Sequence, residues 1–427
     1  ACSSESNMVA KGRYTFKLVL VSFAAGVIGY MVRLPPLLTT ETKASLGYPK
    51  ESLLNVTERA SRHGYLASEY SVLTEDGYLL KMFRLQRPEG ELKGPPVLLM
   101  HGLLQSSASW LDAGPNAGLA YLLAAAGFDL WLGNARGTHY SRKHVWLDPD
   151  KDEQYWNFCV DDIGRYDLPA LTDYVLDQTG ADKLNYIGFS QGAGTFFIMC
   201  SERPEYCDKA SVMIALAPAS RQTHTKSKLY RMLTESYSKL EGVLNTLGIY
   251  EVFSKGAISQ EFLAFFCQLS GVTTKICEFG KDMVDSMDSP HPGSIRNDTI
   301  RTLFGHFPAG TSVHNMARYG QSMVSPYFQK FDYGKEQNLV YYGGEEPPKY
   351  NLSAVTAPVV AIYGRNDGLV DLEDVEWLLD QLPYVLEAVE VKDPLWNHLD
   401  VTYSQYTGEM ILPKIEEYLF KYNSTNS

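Results

Sequence analysis

Several things are missing from this chain. No C-x-x-C occurs among its six cysteines, so a cysteine-rich zinc site has no scaffold. No phosphate-cradling glycine loop is present, and no internal repeat. There is no basic excess either: 38 Lys and Arg stand against 50 Asp and Glu, a net charge of −12 with a pI near 5.3. An acidic surface does not recruit phosphate backbones, which excludes nucleic acid as a partner. What is plentiful is apolar residue, at 45%, enough for a real core. A length of 427 residues suits a large domain with an insertion, or two domains.

The beginning of the chain carries a compartment signal. Lys11, Arg13 and Lys17 precede an apolar run from Leu18 to Val32, interrupted by Ser22, Gly26 and Gly29 and closed by Pro35-Pro36. The run is short for a membrane span, so residues 1–33 are expected to be a cleaved secretory signal, with a retained signal anchor as the alternative. Val27-x-Gly29 stands in for the usual cleavage motif, and Met8 is a second candidate for the first residue. N-x-S/T sequons at Asn55, Asn297, Asn351 and Asn423 agree with a secreted or lysosomal product. Losing the leader removes Cys2 and leaves an odd number of cysteines, so at least one thiol is unpaired. Cys267 and Cys277 bracket a loop-like stretch and are the expected disulfide in an oxidising compartment. Cys200, in an apolar helix, is expected to be a buried thiol.

Residues 34–63 read as a lead-in. Two strand-like runs, Tyr70 to Leu73 and Tyr78 to Phe83, flank Thr74-Glu75-Asp76-Gly77 and predict a hairpin. Strands are then expected at Pro95–Met100, Phe128–Leu132, Leu184–Ile187 and Ser211–Leu216, with helices at Gly118–Ala126, Ile163–Thr179 and Ala193–Cys200. Strands that are nearly all apolar and alternate with helices describe a mostly parallel sheet covered on both faces. A polar loop from Gly133 to Asp152 interrupts the series. Near Ser220 the rhythm stops. Leu229, Met232, Leu233, Leu240, Leu244 and Leu247 fall at helical spacing, with further helices expected at Ile258–Leu269 and Ser312–Met323. Residues 220–354 are therefore expected to be a helical cap inserted between two parts of the sheet domain, 64–219 and 355–422. The sheet resumes at Pro358–Tyr363, followed by a helix at Leu372–Leu382, a short strand at Ala388–Val391 and a C-terminal helix.

The chemistry centres on Gly188-Phe189-Ser190-Gln191-Gly192, a G-x-S-x-G between strand and helix. Such an elbow lifts the serine hydroxyl above the sheet on a strained turn and aims the N–H of Gln191 at the same space. A serine nucleophile needs a base, and the base needs a carboxylate to fix its tautomer. In this architecture the order along the chain is serine, acid, histidine. Asp367 lies just past the strand PVVAIY, where strand ends carry ligands, and His398 follows it. His224, His291, His306 and His314 precede any such acid. Order and placement thus select Ser190, Asp367 and His398, with Asp371 and Asp374 as alternative acids. The second oxyanion donor is expected after the strand ending at Met100, at the N–H of Leu103, with Leu104 as alternative. His139 and His144 have no metal-ligand spacing and are expected in a solvated loop.

With those residues in view, the chain resembles the acid lipase family, which includes gastric and lysosomal acid lipases. The resemblance runs from about Gly64 to Tyr418. It rests on TEDGY (74–78), HGLL (101–104), GNARGTHYS (133–141), RYDLPA (165–170), GFSQG (188–192), LAPA (216–219), PAGTSVHNM (308–316), Asn366-Asp367 and NHLD (397–400). PAGTSVxNM and NHLD are specific to the family, whereas G-x-S-x-G is not. The resemblance implies an α/β-hydrolase fold with a cap and lid, and hydrolysis of acyl esters of neutral lipids. It implies Ser190, Asp367 and His398 as triad, and Leu103 and Gln191 as oxyanion donors. Three departures stand out. Phe189 replaces a frequent histidine, Arg365 replaces a small residue, and the upstream cysteine of the family's cap disulfide is absent near Ile258.

The expected protein is a serine ester hydrolase of triacylglycerols or cholesteryl esters that needs no cofactor and no metal. It would work as a monomer at a lipid–water interface. A non-lipid carboxylesterase and a non-catalytic lipid-binding protein are the competing readings.

Overall fold

Apolar runs become buried strands. In the computed structural model, which describes residues 39–254 and 286–422, the chain forms ten strands among the described residues. These are β1 (Leu66–Leu73), β2 (Leu79–Gln86), β3 (Val97–Met100), β4 (Leu130–Gly133), β5 (Leu184–Phe189), β6 (Ala210–Leu216), β7 (Glu251–Val252), β8 (Thr311–Ser312), β9 (Val359–Tyr363) and β10 (Val385–Glu390). Eight of them make one sheet in the order β1-β2-β4-β3-β5-β6-β9-β10. The β1–β2 and β2–β4 pairs are antiparallel, and every pair from β4 to β10 is parallel. The hairpin and the parallel series both follow the sequence pattern. Every residue of β3, β4 and β5 is buried, because helices cover both faces.

Strand periodicity divides the core between those faces. Leu98, Tyr186 and Met213 face one apolar layer, and their neighbours Leu99, Ile187 and Ile214 face the other. Around the sheet lie α1 (Val56–Arg62), α2 (Leu119–Ala126), α3 (Leu168–Thr179), α4 (Gln191–Glu202), α5 (Lys228–Thr246), α6 (Val313–Ser322), α7 (Leu372–Gln381) and α8 (Leu412–Lys421). A π-helical turn at Ile163–Asp167 leads into α3, where the sequence reads as one continuous helix. Between β6 and β9 no described residue joins the large sheet. Here α5 packs along α6, and β7 pairs with β8. The helix expected at Ile258–Leu269 lies outside the described residues.

Three expectations change. Residues 39–63 are more than a lead-in. The described part, from Thr39, forms short helices, and α1 is sealed by an Asn55–Glu58 capping box. The polar stretch after β4 is solvated only in its later part, around Lys143 to Trp146: Asn134, Arg136, Thr138 and Ser141 are buried. Each finds a hydrogen-bond partner, as buried polar groups must. Asn134 donates to the Lys81 carbonyl, Ser141 to the Asn134 carbonyl and Thr138 to the Ala135 carbonyl. Arg136 binds Asp167 at 2.7 Å and Asp76 at 2.6 Å. Finally, Cys200 is not a free thiol. The chain turns back through the short helix Pro204–Cys207 and brings the Cys207 Cα within 4.9 Å of it, and the two form a disulfide. Cys159 is buried and free. The expected partners Cys267 and Cys277 fall outside the described residues.

Candidate active site

The elbow after β5 is built by exclusion. A Cβ on Gly192 would come within 2.2 Å of the Met100 carbonyl oxygen, and one on Gly188 within 2.6 Å of the Ala193 nitrogen. Only glycine lets β5, β3 and the first turn of α4 pass so close. Between them Ser190 is held at φ 52°, a left-handed conformation uncommon outside glycine. It is fixed there because its N–H donates to the Leu216 carbonyl at 2.9 Å and its carbonyl accepts from Ala219 at 3.2 Å. Gln191 opens α4, where the first N–H groups have no partner four residues back and are open to an anion.

At the ends of β9 and β10 the acid and the histidine meet. His398 Nδ1 lies 2.6 Å from Asp367 Oδ2, and both side chains are buried. The other Asp367 oxygen accepts from the N–H groups of Leu369 and Val370 at 2.8 and 2.7 Å. The carboxylate is therefore oriented before the imidazole arrives. Burial works against a charged His398, but the Asp367 charge and hydrogen bond outweigh it, with Asp288 adding, and the imidazole pKa is raised. Ser190 and His398 line the same mainly apolar cavity of about 90 Å³, together with Leu103, Leu104, Phe189, Tyr230, Phe307 and Leu399 among others. The Phe189 ring lies 4.8 Å from the imidazole centroid and puts an apolar wall against it.

Leu103 follows β3 on the rim of this cavity. Its loop is braced from several sides. Leu104 sits at φ 61°, and its carbonyl accepts from Ala309 at 2.7 Å. Gln105 accepts from Gly102 N–H at 3.2 Å and donates to Thr402 and Tyr403 at 3.0 and 3.1 Å. His101 Nε2 accepts from the Ala135 N–H at 3.1 Å, and burial lowers its pKa to about 4. It is a neutral structural residue.

The alternative acids are engaged elsewhere. Asp371 caps α7 through the Glu373 N–H and pairs with Lys226, while Asp374 binds Arg221 and His224. The other histidines after Ser190 have carboxylates of their own: His291 with Asp400, His306 with Asp112 and His314 with Glu241. His144 binds the Asp76 carbonyl, and His139 packs on Tyr140. Among the described residues no cluster of three or more His, Cys, Asp or Glu side chains is suited to a metal. Arg365 turns outward to Glu390 at 2.8 Å. Among the sequons, Asn297 and Asn351 are exposed, Asn55 is a helix cap, and Asn423 lies outside the described residues.

Two residues near the site escaped the sequence reading. Asn315, in α6, donates to Gln191 Oε1 at 3.0 Å and to Thr311 at 3.1 Å; the PAGTSVHNM motif was the signal for it. Asp288 touches the loops of both Asp367 and His398. A lone aspartate in Asp-Ser-Pro carried no signal.

Residues 95–401 match a family model described as "alpha/beta hydrolase fold", and residues 56–114 match one described as "Partial alpha/beta-hydrolase lipase region". The chain is 38% identical over 373 residues to the Drosophila melanogaster protein named Lipase 1, covering 87% of this chain and 81% of that one. It is 34% identical over 357 residues to human gastric triacylglycerol lipase, covering 82% and 87%. A Sulfolobus solfataricus crystal structure superposes with a TM-score of 0.56 at 14% identity, covering 84% of this chain and 95% of that one, a likeness of fold alone.

Proposed function

Because this chain belongs to the acid lipase family of the α/β hydrolases, we propose that it cleaves acyl esters of neutral lipids through an acyl-enzyme on Ser190. Triacylglycerols and cholesteryl esters are the substrate class. The observation that carries this reading is the Asp367–His398 pair at 2.6 Å, opening onto the apolar cavity that Ser190 shares.

The steps follow from that geometry. Asp367 occupies Nδ1, which leaves His398 Nε2 to take the Ser190 proton as Oγ attacks the ester carbonyl. The tetrahedral oxyanion is met by the N–H groups of Gln191 and Leu103, each such donor supplying about 3 kcal/mol. Collapse breaks the ester C–O bond, and His398 returns the proton to the departing alcohol. Water then attacks the acyl-serine with His398 again as base, releasing the fatty acid and restoring the hydroxyl. The described part of the 220–354 insertion acts as a cap, Tyr230, Met287 and Phe307 supplying apolar surface for the acyl chain. The route is secretory, and the Cys200–Cys207 disulfide and the exposed sequons at Asn297 and Asn351 suit it.

The test is Ser190→Ala against a soluble p-nitrophenyl ester and against emulsified triolein, alongside labelling by a fluorophosphonate. Loss of both activities by about 10⁴-fold or more, with loss of labelling, is expected. Undiminished turnover in the variant discards the mechanism. A preference for the soluble ester with no gain above substrate solubility would make the protein a non-lipid esterase.

A further inference from the structure

Asp367 and His398 sit on the loops that follow the parallel neighbours β9 and β10, and a third segment binds both. Residues 288–290 lie across them and make four hydrogen bonds, two to each loop. Asp288 Oδ1 accepts from the Gly368 N–H at 2.9 Å, and its Oδ2 accepts from the Leu399 N–H at 3.0 Å. The Ser289 carbonyl accepts from the Asn397 side chain at 2.5 Å, and the Pro290 carbonyl from the Asn366 side chain at 3.1 Å. The four donors are the chain neighbours of the two catalytic candidates. Asn366 and Gly368 flank Asp367; Asn397 and Leu399 flank His398.

Packing at the crossing is close. A Cβ on Gly368 would come within 2.7 Å of Ser289 Oγ and 2.9 Å of the Asp288 carbonyl. Downstream the segment is tied again, since His291 Nδ1 lies 2.6 Å from Asp400, whose same oxygen accepts from the Asn397 N–H at 2.8 Å.

Asp288 is 7% exposed, and among the described residues both hydrogen-bond partners of its carboxyl are backbone N–H groups. A buried carboxyl without a cation is costly and persists where the surrounding structure needs it. Burial and the neighbouring Asp367 charge push its pKa well above the carboxylate range, with His398 and the two N–H groups pulling the other way.

We propose that Asp288 is a positioning residue that clamps the Asp367 loop to the His398 loop and so holds the acid–base pair in line with Ser190. This rests on the triad reading above. The clamp acts through the geometry of the two loops, beside its smaller charge effect on His398, and touches neither substrate nor the reacting atoms. A misplacement of about an ångström at a catalytic pair costs on the order of 100-fold in rate.

The experiment compares Asp288→Asn, Asp288→Ala and Asn366→Ala with the parent chain, reading kcat and KM on a soluble p-nitrophenyl ester and the rate of fluorophosphonate labelling. Asn keeps the volume but turns one acceptor into a donor facing an N–H. In folded Asp288→Asn, kcat and labelling rate are expected to fall about 10- to 100-fold with KM nearly unchanged. Asn366→Ala, which loses the bonds to the Pro290 and Leu395 carbonyls but keeps both Asp288 bonds, is expected to fall less. Should Asp288→Ala fail to fold, the other two carry the result. Parent-like kcat and labelling in both of them, or a change confined to KM, would overturn the proposal. Ser190→Ala, run beside them, separates this from failure of the triad itself: a serine variant that still labels removes the premise rather than the clamp.

Discussion

His398 Nδ1 lies 2.6 Å from Asp367 Oδ2 across 31 residues of chain, and the contact sets the charge of the imidazole as well as its direction. A base must be neutral to accept a proton, and this pair favours the protonated form. The His398 pKa is raised above its ordinary 6.5. For a soluble ester, kcat/KM is therefore expected to fall on acidification through a value above 6.5, earlier than for an isolated histidine. The stability the pair contributes is fully present below the unfolded pKa and is lost as pH rises through the raised one. A pH profile of kcat/KM on the parent chain reads the first, denaturation midpoints against pH read the second, and following the imidazole by NMR in Ser190→Ala checks the shift itself; a titration at or below 6.5 contradicts the direction. Asp367→Asn should lower kcat by about 10³- to 10⁴-fold and move the same titration down.

Gln191 is steadied from outside its own helix. Asn315→Ala removes the 3.0 Å bond to its side chain. One buried hydrogen bond is worth about 1 kcal/mol, so kcat should drop about 5- to 10-fold. Steady-state kinetics on the soluble ester would show it, with the melting temperature as control.

Gly192→Ala tests the elbow. Its new methyl would meet the Met100 carbonyl oxygen at 2.2 Å, and the obstacle is backbone that cannot turn aside. Overpacking of this kind costs on the order of 2 kcal/mol or more. A lower urea midpoint together with lost esterase activity is expected.

Arg136 supports the sheet away from the chemistry. It is buried, with its guanidinium over the Tyr78 ring at 3.9 Å and Asp167 and Asp76 in contact. Even beside this cation, burial raises the Asp167 pKa to about 6. Arg136→Ala leaves an unpaired buried carboxylate and should cost about 3–5 kcal/mol near neutral pH. The deficit should shrink as pH falls, since a protonated Asp167 no longer needs a partner. Denaturation midpoints at two pH values measure the difference.

How much of this was readable beforehand depends on the kind of signal. β3, β5 and β9 announce themselves because a strand buried on both faces must be apolar throughout. The elbow announces itself because two glycines and a serine meet a steric demand that few other residues satisfy. Asp367 and His398 are picked out by their order along the chain, not by their chemistry, and the structure pairs them. His224, His291, His306 and His314 each have a carboxylate partner too, so pairing alone does not single out a base. Polarity misled in the other direction. The stretch around Arg136 reads as solvated but is internal, because its side chains satisfy one another over distances that composition does not encode. The Cys200–Cys207 pair was hidden by the apolar helix around Cys200, which masked the reversal just after it. Asp288 was invisible because its importance lies in two backbone donors far along the chain.

The bond from Ala309 to the Leu104 carbonyl reaches back from beyond β6 into the turn after β3. A trimmed version of this protein, keeping the eight-stranded platform and discarding what is spliced between β6 and β9, would retain Ser190 yet lose the strut under the turn after β3, the proposed oxyanion loop. Miniaturising the enzyme that way should forfeit turnover on small soluble esters as well as on lipid, so the insertion is part of the engine and not an accessory for gripping grease.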